Sequence, residues 1–337
     1  MKAVAYYQSL PSSDPHSLQD IELPAPTPGP RDLLVAVRAI SVNPVDTKIR
    51  RNVAPADGQA KVLGWDVTGV VQAVGSEVSL FQVGDEVFYA GALQRQGANS
   101  ELHVVDERIV GHKPRSLGFA EAAALPLTAI TAWELLFERL KIAEGSASSG
   151  QSLLIIGAAG GVGSILTQLA RQLTGLTVIG TASRPETADW VRQLGAHHVI
   201  DHSQPLLPQL QQLGIQQVNH VASLTHTDQH YDQLIEALAP QGQLALIDDP
   251  AQLDVVKLKR KSLSLHWEFM YTRSLFETPD MQAQHALLER VAQLIDAGTL
   301  HTTLGEHFGS INASNLRRAH VLLESGKARG KIVLEGF

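Results

Sequence analysis

Residues Ser152–Leu173 read SLLIIGAAGGVGSILTQLARQL, and this stretch decides the fold. The apolar run Leu153–Ile156 is too short for a helix and suits a strand buried on both faces. Gly157, Gly160 and Gly163 follow at three-residue spacing. Gly157 suits a tight turn, Gly160 lets backbone approach a phosphate with no side chain between, and Gly163 lets the next helix pack close to the strand. Ile165, Leu166, Leu169 and Leu173 keep helical spacing, so the unpaired amides of the loop Ala159, Gly160, Gly161 and Val162 face an anion at a helix start. A strand, a glycine turn and a helix in this order predict a pyrophosphate site.

The next strand, Thr177–Thr181, ends in Ala182, Ser183 and Arg184. This point lies about twenty residues past Gly163, where an NAD-binding unit carries an Asp or Glu on the ribose 2′-hydroxyl. No acid stands there. A hydroxyl beside a guanidinium suits a 2′-phosphate by charge-assisted hydrogen bonding, so the expectation is NADP(H) in preference to NAD(H). Pro185 and Glu186 also read as a helix first turn, which would make Ser183 and Arg184 a plain loop.

Outward from this unit the pattern is βαβ, with short buried strands at His198–Ile200, Val218–Ser223 and Leu244–Ile247. That alternation predicts a doubly wound parallel sheet in an α/β chain. The first third alternates short β-type runs with turns: Ala3–Tyr7, Leu33–Ser41, Val67–Val74, Glu86–Tyr89 and Glu101–Val105. It reads as a small β-barrel. Met281–Ala297 and Asn315–Glu324 read as helices and Lys331–Glu335 as a closing strand.

The chain has 337 residues, 44% of them hydrophobic, enough for two domains. A net charge of −7 offers no basic field for nucleic acid or an anionic membrane. The sequence shows no run of eighteen apolar residues, and MKAVAYY runs directly into strand-like sequence, so a cytoplasmic protein is expected. With no cysteine, disulfides, thiolate nucleophiles and cysteine-ligated zinc are ruled out.

Read together, SVNPVDTKIR (Ser41–Arg50), GWDVTGVVQAVG (Gly64–Gly75), VGDEVF (Val83–Phe88), ALPLTAITAWELL (Ala124–Leu136), GAAGGVG (Gly157–Gly163), LGAHHVIDH (Leu194–His202), WEFMYTRS (Trp267–Ser274) and GKIVLEGF (Gly330–Phe337) carry a resemblance. The chain resembles the medium-chain dehydrogenase/reductase superfamily, in its quinone oxidoreductase and zinc-type alcohol-dehydrogenase-like branch. The resemblance implies a GroES-like β-barrel catalytic domain over residues 1–123, completed by the C-terminal segment. It further implies a Rossmann NADP-binding domain over 124–270 and a return segment, 271–337, packing on both.

In zinc-dependent relatives a cysteine, a histidine and a third ligand hold the catalytic metal. The matching positions here are Asn43, Trp65 and, near the third, Leu127. An amide, an indole and an isobutyl group cannot build a tetrahedral N/S site, so no metal is expected. Without a Lewis acid, the reaction that fits is hydride transfer to a quinone or an α,β-unsaturated carbonyl.

By resemblance, Asn43 bonds the ribose or the substrate oxygen, Asp46 orients its neighbours or relays a proton, and Thr131 contacts the nicotinamide. A turn residue before Pro44, a structural carboxylate and a helix-interior threonine are the respective alternatives. The strand ends Ser223, Leu224, Ile247 and Asp248 are expected to hold the carboxamide and ribose, Phe269 and Met270 to wall the nicotinamide, and Lys331 to reach the pyrophosphate. Relatives pair an edge strand, here near Leu263–Glu268, which suggests a homodimer. A metal-recruiting alcohol dehydrogenase and a low-turnover NADP-binding sensor or interaction protein stay open as alternatives. His226 and His230, four apart, have metal-ligand spacing without an evident third ligand and read by default as solvent-facing.

Overall fold

In the computed structural model, which describes residues 1–337, Ser152–Ile156 is a strand with every residue buried. It belongs to the unit Thr131–Met270; the other unit comprises Met1–Ile130 and Tyr271–Phe337.

The first of these holds six parallel strands. Their order is His198–Ile200, Thr177–Thr181, Ser152–Ile156, Val218–Ser223, Leu238–Leu246 and Ser264–Trp267. Counted along the chain this is 3-2-1-4-5-6, the doubly wound order, which reverses between Ser152–Ile156 and Val218–Ser223. Helices Gly161–Leu173, Pro185–Gln193, Leu206–Gln212 and Thr227–Ala237 link the strands. Leu154, Ile156, Ile179, Val221, Leu244 and Leu246 pack with Tyr231 and Leu234 of the last helix. Burying each such side chain stabilises the unit by about 1.5–3 kcal/mol relative to exposure.

The strand expected at Leu244–Ile247 begins earlier, at Leu238, and ends at Leu246. A bulge opposite Val218–His220 and a left-handed Gln241 carry it through a polar stretch, which is why alternation missed its first half.

The other unit is built mainly from antiparallel pairs. Leu304–His307, Lys331–Glu335, Asp32–Val42, Val67–Val74, Glu86–Tyr89 and Val110–His112 lie side by side, and Leu102–Asp106 also pairs with Asp32–Val42. Two register breaks along Asp32–Val42 bend it, as closure into a barrel requires. Lys2–Tyr6 lies between Gln19–Glu22 and Lys61–Val62 in a smaller sheet. Strands of two to four residues at Gln19, Lys61, Val110 and Leu304 are too short to leave a periodic trace.

One boundary differs from the sequence expectation. Residues 124–130 group with the barrel unit, where the Leu127 amide donates to buried Asp66 at 2.7 Å. Residues 271–337 group wholly with that unit, since Ile332 pairs with Val42 and Leu334 with Ile40. The helical run Phe119–Arg139 is long and apolar enough to cross a membrane by length and composition, although polar residues interrupt it; 78% of its most apolar stretch is buried inside the protein, as in a core helix.

Candidate functional site

In the Thr131–Met270 unit, the turn after Ser152–Ile156 is shaped by what its glycines exclude. Gly157 has φ +78°, and its amide donates to Thr181 Oγ1 at 3.1 Å, tying the turn to the neighbouring strand. A Cβ on Gly163 would lie 2.4 Å from Gly157 O and 2.6 Å from Ala158 Cα, so the helix closes directly on the turn. Gly160, which precedes the first turn of the helix Gly161–Leu173, is different: a Cβ there would meet only Gly157 O, at 3.5 Å. Gly160, Gly161 and Val162 are partly accessible, whereas Ala159 and Gly163 are buried. The Gly160 amide donates to Gly157 O at 3.1 Å, which leaves the amides of Gly161 and Val162, at the helix start, to cradle an anion.

At the next strand end Ser183 is exposed and Arg184 takes the position before the helix Pro185–Gln193. The Arg184 carbonyl accepts from Thr187 Oγ1 at 2.8 Å, and its side chain, 38% exposed, pairs with Glu186 at 3.3 Å. Such an exposed pair holds a guanidinium weakly.

Ser223 and Asp248 close the following two strands and are joined through Thr227. Thr227 donates its amide to Asp248 Oδ2 at 2.8 Å and its hydroxyl to Oδ1 at 2.5 Å, so Ser223 must donate to Thr227 Oγ1 at 2.7 Å. Leu224 continues the sheet by donating its amide hydrogen to Ile156 O at 3.3 Å, and Ile247 lies just beyond its strand. Met270 is buried, Phe269 is 47% exposed, and Thr131 is buried on the helix Pro126–Trp133.

The Met1–Ile130 and Tyr271–Phe337 unit contains a closed cluster around Asn43, Asp46, Asp66 and Lys331, all buried. Pro44 at its first turn starts the helix Pro44–Asn52, and Asp46 accepts from the Asn43 amide at 2.6 Å and from Gly64 N at 2.9 Å. The Asn43 side chain donates to Asp66 Oδ2 at 2.8 Å and accepts from Lys331 Nζ. Lys331 also donates to Val42 O at 3.0 Å and pairs with Asp66 at 2.9 Å.

One ammonium thus serves two buried carboxylates. Burial pushes Asp46 up to about 7, against the pull of the Asn43 amide and Lys331. Asp66 is also raised by burial, with Lys331 and the Leu127 amide opposing. Tyr271, fully buried, is held well above the ordinary tyrosine range by burial and by the charges of Asp46 and Asp66.

Two sequence expectations change here. Lys331 is buried and committed to Asp66, Asn43 and Val42, so it is not a lysine free to reach a pyrophosphate. Asn43 has its amide hydrogens on Asp66 and, at 3.4 Å, on Ser41 O, so it braces the cluster and does not present a donor outward. Asp66 was missed, although an acid inside the apolar run Gly64–Val71 signals a buried partner.

Trp65 is buried with its indole donating to Ala92 O at 3.3 Å, and Leu127 is buried. With Asn43 bonded as described, these three positions supply no zinc donor set. Of the histidines, His197 Nδ1 accepts from Val178 N at 2.9 Å and is structural; His230 lies edge-on to His202 with ring centroids 5.9 Å apart.

Two family models match. The alcohol dehydrogenase GroES-like domain covers residues 29–133, and zinc-binding dehydrogenase covers 194–334. The chain is 40% identical to a zinc-type alcohol dehydrogenase-like protein of Staphylococcus aureus, over 99% of both chains. It is 34% identical to a quinone oxidoreductase of Pseudomonas aeruginosa, over 91% of this chain and 92% of that one. A Rhizobium etli protein, provisionally described as a zinc-dependent alcohol dehydrogenase, superposes with TM-score 0.97 at 55% identity, over 100% of this chain and 98% of that one. A mycobacterial protein solved with NADPH superposes with TM-score 0.84 at 27% identity, over 99% of each. A GroES-like domain joined to a doubly wound parallel sheet, matched over nearly the whole chain, makes this protein an oxidoreductase of the medium-chain dehydrogenase/reductase superfamily, in its quinone oxidoreductase and zinc-type alcohol-dehydrogenase-like branch.

Proposed function

We propose that the chain is a zinc-independent, NADPH-dependent reductase of quinones or α,β-unsaturated carbonyls. The observation that carries this reading is the donor set at Asn43, Trp65 and Leu127, which offers an engaged amide, a donor-only indole and an alkyl group where a metal would need lone pairs. The coenzyme supplies the hydride when bound; an acceptor already electrophilic needs no Lewis acid.

In this reading the amides of Gly161 and Val162 bind the pyrophosphate, and Gly160, its own amide on Gly157 O, keeps side chains out of the way. Ser183 and Arg184 take the 2′-phosphate, Arg184 exchanging its weak pairing with Glu186 for a doubly charged partner. The Ser223–Thr227–Asp248 chain fixes the strand ends beside Leu224 and Ile247 that receive the ribose and carboxamide. Thr131, Phe269 and Met270 bound the nicotinamide. Asp46, raised to about 7, holds a proton near neutrality, and with Asn43 it positions the start of the helix Pro44–Asn52. The same reading makes the chain a cytoplasmic homodimer joined along the edge strand Ser264–Trp267.

The test is coenzyme oxidation with a panel of quinones and enones, with and without a chelator. NADPH consumption that a chelator leaves unchanged, and that Arg184→Ala shifts towards NADH, supports the reading. Oxidation of a simple primary alcohol that disappears with chelator would falsify it.

A further inference from the structure

Outside the cradle and the Asn43 cluster, the dinucleotide unit buries a second group of charges. Glu134 opens a π-helical stretch, Glu134–Arg139, and Glu268 follows the edge strand Ser264–Trp267. Both glutamates are buried, and their side chains are no more than 1% exposed. Arg139 Nε donates to Glu268 Oε2 at 2.7 Å, and Arg139 Nη2 lies 3.7 Å from Glu134 Oε2.

One guanidinium therefore faces two carboxylates out of water. Glu268 Oε1 has no donor within hydrogen-bond geometry, and the Glu134 carboxyl lies within hydrogen-bonding reach of the Glu268 carboxyl. Two ionised carboxylates cannot satisfy each other, because each only accepts. A proton on one of them turns the contact into a short carboxyl–carboxylate hydrogen bond and leaves a single negative charge for Arg139.

We propose that Glu134 and Glu268 share one proton, and that this pair, clamped by Arg139, is a positioning device for the coenzyme pocket. The other charged and titratable groups around it do not supply the missing positive charge. Glu138 adds negative charge to Glu268, and His266, pushed down by burial, Lys141 and Arg139, is neutral. Burial raises Glu268 above its ordinary 4.5, with Arg139 and Glu134 opposing.

The clamp joins the two segments that carry the proposed nicotinamide contacts. Thr131 lies one helical turn before Glu134, and Phe269 and Met270 directly follow Glu268. A π-helical turn at this point agrees with the frequent use of such turns near functional sites. The positioning role rests on the proposed coenzyme pocket; the shared proton does not.

The two parts are tested separately on the full-length protein. Infrared spectra at neutral pH are expected to show a protonated carboxyl component that vanishes in both Glu134→Gln and Glu268→Gln, distinct from any contribution of Asp46. Thermal stability of the wild type should fall relative to Glu134→Gln as pH rises above the ordinary glutamate value of 4.5, because the folded pair holds a proton that the unfolded carboxyl releases there. NADPH affinity should stay within about twofold in Glu134→Gln, whose amide replaces the shared proton, and weaken about tenfold in Glu134→Ala. An unchanged infrared band and parallel pH curves overturn the shared proton. Equal affinities of the Gln and Ala variants overturn the positioning role, and a wild type that binds no NADPH overturns the coenzyme reading while leaving the proton result standing.

Discussion

The glycine turn of the dinucleotide unit and the Asn43 cluster of the barrel unit both set polar atoms among apolar neighbours, in opposite ways. The turn uses backbone amides at a helix start and leaves Gly160 with space around it. The cluster uses side chains from distant parts of the chain and turns them on one another: Lys331 on Asp66 and Asn43, Asn43 on Asp66, and Asp46 on two backbone amides. Donors left open at a helix start, as at Gly161 and Val162, suit a ligand, whereas mutually satisfied groups hold a shape. The difference separates a place suited to binding from a place that braces.

Removing the ammonium tests the braced side most severely. Lys331→Met leaves Asp66 buried without its counter-charge and should cost about 3–5 kcal/mol in urea denaturation. Adding Asp66→Asn should recover more than half of that, since the uncompensated charge is gone. A loss below about 1 kcal/mol for Lys331→Met alone would mean that the cluster is open to water.

The glycines sharpen the open side. Gly163→Ala forces a Cβ within 2.4 Å of a carbonyl oxygen and should destabilise by about 2–4 kcal/mol. Gly160→Ala, with its nearest neighbour at 3.5 Å, should stay within about 1 kcal/mol in stability while weakening NADPH binding roughly tenfold. If both variants lost stability alike, the turn would be a packing element and not a cradle.

The braced cluster also has a signature in pH dependence. Asp46 is raised in the folded state from 3.8 to about 7, so the folded protein binds the extra proton, and this contribution is present in acid and lost as pH rises through about 7. Asp46→Asn should remove that downward slope between about pH 4 and pH 7 in thermal melts. An unchanged slope would place the titration on other groups.

The contrast also explains what the sequence disclosed. The cradle was legible because its parts are contiguous: an apolar run, three spaced glycines and a helical stripe lie within Ser152–Leu173. The doubly wound order followed from the alternation of strands and helices, and the resemblance supplied the barrel. Lys331 was misread because its partner, Asp66, sits in a different motif, and nothing local marks an ion pair between residues so far apart in sequence. Asn43 was located by resemblance, but its bonding depends on Asp66 and Lys331 together. The first half of Leu238–Leu246 stayed hidden because Pro240, Gln241 and Gly242 read as a turn, although the chain passes them on a bulge. Glu134 and Glu268 lie within two of the quoted motifs, but nothing in the sequence marks them as neighbours; only the fold brings both to Arg139.

The pairing of Lys331–Glu335 with Asp32–Val42 has a consequence for birth of the protein on the ribosome. Every residue of Thr131–Met270 is translated before Lys331, so the dinucleotide unit has its complete set of strands while Asp66 still lacks its cation and Asp32–Val42 still lacks a neighbour. The nascent chain therefore carries an unfinished sheet edge until Lys331–Glu335 is made, the kind of edge that invites pairing with other chains.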